Sequence, residues 1–213
     1  MDNTTKKNIV FFIIISCIYI INSLILRFFY IDDELLLNSF GASIDSEKAA
    51  EFLSMDKRWG FVKHLFTPIG LFIRISVVSL IFYLGFYLSD VSCSLKKLYG
   101  VVLISDFTFL FFTVLRTMLI FNQDFTSLAE ISSYAPFRII TFDSISEFPI
   151  WAKIPLRIIN LVEVLYWVVL GLLLSRITLW SYIKSFLFVL KTYVLALTFW
   201  IVFLIFVNVV LIN

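Results

Sequence analysis

Apolar residues gather in five long runs along this chain, at roughly Ile9–Leu26, Phe66–Leu88, Leu98–Phe121, Ile158–Leu174 and Thr192–Ile212. A helix rises about 1.5 Å per residue, so about 20 mostly apolar residues cross a bilayer core near 30 Å thick. Each run meets or approaches that length. A helix satisfies its own backbone polar groups inside lipid. The pattern therefore predicts an all-α fold: a polytopic integral membrane bundle with five transmembrane helices over residues 1–213, a single membrane domain. Two longer intervals, 27–65 and 122–157, are expected to be partly helical outer loops.

Composition agrees. The chain is 61% hydrophobic and 15% charged, with a mean hydropathy of +1.01, which leaves little for a soluble domain. The distribution of charge orients it. The short segments carry Lys6, Lys7, Lys96, Lys97, Arg176, Lys184 and Lys191 against only Asp2 and Asp90. The two longer loops hold eleven of the fifteen acids, with eight basic residues spread over a greater length. Dense Lys and Arg on short segments mark the cytoplasmic side. The expected topology has a cytoplasmic N-terminus, with the C-terminus and both long loops outside. Tyr30, Trp59 and Trp151 then fall at the outer interface, and Tyr99 and Trp180 at the inner one. Lys6 and Lys7 before the first apolar run resemble a secretory signal. Arg27-Phe28-Phe29-Tyr30 offers no small-residue cleavage site, so the run reads as a retained anchor.

Local signals fill in the connections. Ser46–Leu53 reads as a short capped helix. Ser127-Leu128-Ala129-Glu130 fits a capping box, in which Ser and Glu side chains each cover an exposed N–H. Glu147–Pro155 is apolar but too short and proline-broken to span, and is expected to lie along the outer surface before the fourth span. Ser181–Lys191 either extends the last span or lies flat at the inner face. Pro68 sits at the start of the second span and no proline interrupts a span centre. Unbroken spans, and the lack of an internal repeat, argue against the midplane sites of many transporters. The six glycines form no GxxxG motif, so packing is expected to come from large side chains, notably the 25 Phe.

Four ionisable residues fall inside the apolar runs: Arg74, Asp106, Arg116 and Glu163. Each costs about 2.5–3.5 kcal/mol at a span centre, so each needs a partner or water. Counted at about 1.5 Å per residue, Arg74, Arg116 and Glu163 share a depth of roughly 7–12 Å below the outer edge. An Arg74–Glu163 or Arg116–Glu163 pair is expected, either as a packing device or with its surplus positive charge facing a lipid phosphate or an acidic partner. Asp106 lies about 12 Å from the inner end, too deep to reach headgroups. Its expected partners are Ser79, Tyr83 and Tyr166, in a structural hydrogen bond or a proton relay.

Catalytic patterns are missing: no GxSxG, no HExxH, no paired-glycine phosphate loop. One histidine, His64, and no ligand-spaced Cys or His pair suggest no metal and no cofactor. Cys17 and Cys93 lie in different compartments of this topology, so no disulfide is implied.

Three segments carry a family resemblance. Ser94–Val102 resembles the basic entry to the third span of the Yip family of five-span membrane proteins, including its bacterial members. Asn160–Leu170 resembles that family's fourth span, and Lys184-Ser185 with Tyr193 onward its basic turn into the last. The Asp-Leu-Tyr-Gly-Pro motif of eukaryotic members has no counterpart, since Leu98-Tyr99-Gly100 precedes the third span and lacks both flanking residues. The resemblance implies a non-enzymatic membrane partner or organiser, without vesicle-trafficking roles. The expected function is accordingly an accessory or organising subunit of a larger inner-membrane assembly, such as one for export or secretion. The alternative is a small transporter or channel using Asp106 and the outer Arg/Glu layer. Expected partners are membrane lipids and one or more integral membrane proteins, not nucleic acid.

Overall fold

With so few polar groups to compete for its backbone, an apolar chain closes its N–H and C=O groups on itself, and helix dominates the described residues. The computed structural model describes residues 3–38, 51, 54–55, 58–60, 62–138 and 150–212, and among them there is no strand. In chain order the helices are α1 (Asn3–Phe29), α2 (Asp33–Asn38), α3 (Val62–Leu65), α4 (Thr67–Leu88), α5 (Leu95–Ser105) and α6 (Phe107–Ile120). There follow α7 (Leu128–Ser133), α8 (Ile150–Ile158), α9 (Leu161–Thr178), α10 (Tyr182–Val189) and α11 (Leu195–Val207). Five helical stretches are long and apolar enough to cross a membrane: α1, α4, the α5–α6 pair, α9, and Tyr182–Val210. The expected Ser46–Leu53 helix lies outside the described residues except for Glu51.

The spans are not all unbroken, against the expectation drawn from proline positions. The third loosens at the single residue Asp106, which keeps a helical backbone while its N–H is shared between the carbonyls of Val102 and Ile104. The last carries π-helical turns at Leu190–Val194 and Asn208–Ile212. At each irregularity a polar side chain donates to the carbonyl one turn back. Ser105 Oγ bonds Val101 O at 2.9 Å, Thr192 Oγ1 bonds Phe188 O at 2.7 Å, and Asn208 Nδ2 bonds Leu204 O at 2.9 Å. Such back-bonding competes with the regular ladder and bends helices. Ser79 makes the same bond inside a regular helix, so the hydroxyl permits a break without being enough to cause it. Residues 181–191 join the last span rather than forming a separate flat element: Ser181 caps α10, and the π turn carries α10 directly into α11.

Contacts divide the chain into two compact units. The first contains Met1–Phe12, Ile73–Phe109 and Phe137–Asn213; the second contains Ile13–Phe72 and Leu110–Pro136.

In the first unit α9 packs on α10 and on α5, while α8 packs on α11 despite Pro155 within it. Its core is strongly aromatic. Phe82, Phe86, Tyr166, Phe188 and Tyr193 are all buried, and their rings stand 4.5–6.3 Å apart where they meet. Large side chains do carry the packing, but glycines contribute where the sequence pattern gave no hint of it. A Cβ on Gly171 would stand 3.2 Å from Phe186 Cα and 3.3 Å from its side chain, so the bare residue sets the α9–α10 separation. Gly171→Val is expected to cost about 1–3 kcal/mol by overpacking, because a backbone cannot step aside as a side chain can. Thermal unfolding in detergent checks this, with Gly70→Ala as the neutral control, since nothing lies within 4 Å of that position.

In the second unit α2 meets α7, and Leu35, Ile120 and Ile131 form a small core with Tyr30 and Phe125 against it. The capping box is present. Ser127 Oγ accepts the Glu130 N–H at 3.3 Å, and the Glu130 carboxylate accepts from the Thr126 N–H at 2.7 Å and its hydroxyl at 3.0 Å. These bonds, the Thr126 N–H first, hold the Glu130 carboxyl below the usual carboxylate range.

Candidate functional site

The polar residues of the apolar stretches converge in the first unit. Arg74 stands on α4 with its side chain partly exposed, while Asp106, at the α5–α6 break, is 1% exposed; the two form an ion pair. Counted at about 1.5 Å per residue, Arg74 lies roughly 10 Å from the start of α4, and Asp106 roughly 21 Å from the end of α6. The partly exposed guanidinium thus reaches to a sealed carboxylate. The Phe109 ring, one turn beyond Asp106, lies under the guanidinium at 4.7 Å from its carbon to the ring centroid. A cation over a ring face gains about 0.5–2 kcal/mol.

Glu163 forms the second half of the cluster. Asn160 caps α9 by accepting the Glu163 N–H at 3.0 Å, which fixes the carboxyl in the first turn of that helix. The carboxylate accepts from Trp167 Nε1 at 3.0 Å and from the Tyr193 hydroxyl at 2.8 Å. Tyr193 sits in the π turn of the last span, with its ring against Tyr166 at 5.6 Å. Tyr166 in turn packs on Phe109 at 4.7 Å. Arg74 is near enough for its charge to act on both Glu163 and Tyr193.

The structure thus gathers Arg74, Asp106 and Glu163, but the ion pair differs from the expected one. Arg74 bonds Asp106, and Glu163 accepts from the neutral donors Trp167 and Tyr193. The reason is reach: a long arginine spans the depth between two spans, whereas Trp167, one turn along α9, already meets Glu163. Ser79, expected to partner Asp106, instead donates to Ile75 O at 2.6 Å, and Tyr83 is exposed. Arg116 belongs to the second unit. Its Nε donates to Tyr134 O at 2.8 Å and its second nitrogen to Ile131 O at 2.5 Å, clamping the C-terminal end of α7. No family model matches this chain, and no curated protein or solved structure matches it. The likeness to the Yip family therefore rests on the quoted segments alone, and the chemistry must be argued from the cluster.

That chemistry begins with a charge count. One guanidinium faces two carboxyls in surroundings where Asp106 and Glu163 are both nearly sealed. Full ionisation leaves one negative charge in excess, a state that low-dielectric surroundings penalise by several kcal/mol. A proton on one carboxyl, or a small cation between them, restores neutrality. Asp106 and Tyr193, both within the cluster, themselves sit at helix irregularities, and π turns recur at functional sites.

Proposed function

We propose that this chain is a non-enzymatic integral protein of a bacterial inner membrane, cytoplasmic at its N-terminus, in which the Arg74, Asp106 and Glu163 cluster takes up and releases a proton or small cation during transport. The observation that carries this reading is the surplus carboxyl among Arg74, Asp106 and Glu163, with Asp106 at a one-residue helix irregularity and Tyr193 in a π turn. Intramembrane acids at interrupted helices are the usual material of ion and proton paths. The sequence argument against transport rested on unbroken spans and on the lack of an internal repeat; two spans are irregular at these residues, which removes the first ground.

Glu163→Gln tests the reading gently, because an amide oxygen still accepts from Trp167 and Tyr193. Reconstituted in liposomes with a pH-reporting dye, the wild-type protein should dissipate an imposed proton or cation gradient. Glu163→Gln, expressed and folded equally, should lose most of that flux. No flux from wild type, or equal flux from the variant, rejects the proposal.

The accessory-subunit reading has an observation of its own. Only 11% of the most apolar window in the last span and 17% of that in the first is buried, against 39% in the second and third. Phe199, Trp200, Phe203 and Phe206 all point outward, and aromatic rings on a poorly covered span favour a second membrane protein as well as lipid. Purification in mild detergent separates the two readings. A stoichiometric protein partner favours the subunit, and a lone copy or homo-oligomer favours transport.

A further inference from the structure

At the end of α4 opposite to Arg74's turn, a cleft of about 420 Å³ opens between the helix and the turn that follows. Tyr83, Phe86 and Tyr87 provide an aromatic wall, and Val91–Ser94 provide hydroxyls, a thiol and backbone. The volume falls within the roughly 300–1,000 Å³ typical of small-ligand sites.

The surroundings of this cleft are basic. Lys97 is close enough for its charge to act on the Cys93 thiol, which burial pushes above its usual range. Lys96 is its neighbour, and the Lys96 carbonyl accepts from Asn8 Nδ2 at 3.0 Å, which brings the start of α1, with Lys6 and Lys7, beside α5. Lys184 lies over the Trp180 ring at 4.5 Å, and that ring packs on Phe86 in the cleft wall at 5.5 Å. Against these stands Asp90, in the turn itself. All these lysines are exposed, so their charges are available to a ligand.

We infer that this cleft seats the headgroup of an anionic phospholipid, with its phosphate toward Ser92, Ser94, Lys96 and Lys97 and its glycerol and first chain carbons along Tyr83, Phe86 and Tyr87. A free phosphate would use the cations and leave the aromatic wall idle. A zwitterionic lipid would use the wall and gain little from the cations. The cleft lies where an apolar helix gives way to a polar turn and the basic start of α5, the level at which headgroups meet a membrane protein. This inference depends on membrane insertion and is independent of the transport reading.

Cys93, in the lining, supplies the probe. In a Cys17→Ser background, labelling of Cys93 by neutral N-ethylmaleimide is followed in phosphatidylcholine nanodiscs, with and without phosphatidylglycerol. Phosphatidylglycerol should slow labelling several-fold, and inorganic phosphate added to phosphatidylcholine discs should not. Lys96→Gln with Lys97→Gln should abolish the protection. Lys191→Gln, which removes a charge from the π turn instead, should retain it. Lipid retention by native mass spectrometry should fall about five-fold per cleft lysine removed. Equal labelling with and without phosphatidylglycerol overturns the inference. So does protection by inorganic phosphate alone, which would mark a soluble-anion site. Protection that survives in the double lysine variant would mark a general surface-charge effect and overturn it as well.

Discussion

Arg74→Met is expected to destabilise the folded protein by about 3–5 kcal/mol, more than any other single exchange considered, because it strands a sealed carboxylate. Asp106→Leu should cost less, although it breaks the same pair. The two partners differ in exposure, 42% for the Arg74 side chain and 1% for Asp106. Arg74 has open surface beside it while Asp106 is sealed, so the exchange that takes the cation from Asp106 is the costlier one. Combining both exchanges should recover much of the loss, since apolar replacement of a whole buried pair is often neutral. Thermal unfolding of the four proteins measures all of this. Additive losses would show that the pair is not coupled.

The second large effect is local. Arg116→Met removes both bonds that hold the end of α7, and hydrogen bonds to a charged group are worth about 1.5–3 kcal/mol each. α7 is only six residues long, below the length at which a helix supports itself. Its remaining anchors are the capping box at one end and Ile131 in the small core. Amide exchange should accelerate over Leu128–Ser133 and stay unchanged over Leu161–Thr178, the core helix of the first unit. Acceleration spread evenly over both segments would mean that Arg116 supports the whole fold and not this clamp.

Much of the architecture was legible from residue pattern alone. Apolar runs longer than the bilayer thickness form helices whatever their detailed sequence, and the Ser127–Glu130 box stated its own geometry. The irregularities were not legible, because proline is only one way to loosen a helix. Ser105, Thr192 and Asn208 make the back-bonds that accompany them, and Ser79 makes one without effect, so residue type cannot single out the breaks. The site was half legible. Arg74, Asp106 and Glu163 announced themselves as charges in apolar sequence. Their pairing did not, since it depends on how far a side chain reaches along its helix as well as on the depth of its Cα. Trp167 had a readable signal, one turn from Glu163 on the same helix. Tyr193 had none, because its direction is set by a π turn that hydrophobicity does not encode.

That turn has a geometric consequence for the last span. A π turn accommodates one residue more than the α-helix would, and each residue of an α-helix advances about 100° around the axis. Everything after Val194 is therefore rotated by that angle from where a regular helix would put it. Tyr193 faces the core while Phe199, Trp200 and Phe203 face out, and the extra residue sets the phase between these two surfaces. Deleting Lys191 would let a regular α-helix present the same outward face, whereas winding all the present residues into a regular α-helix would turn that face by more than a quarter of a revolution. In this helix the count of residues, and not their character, decides which surface is offered to whatever lies beside it.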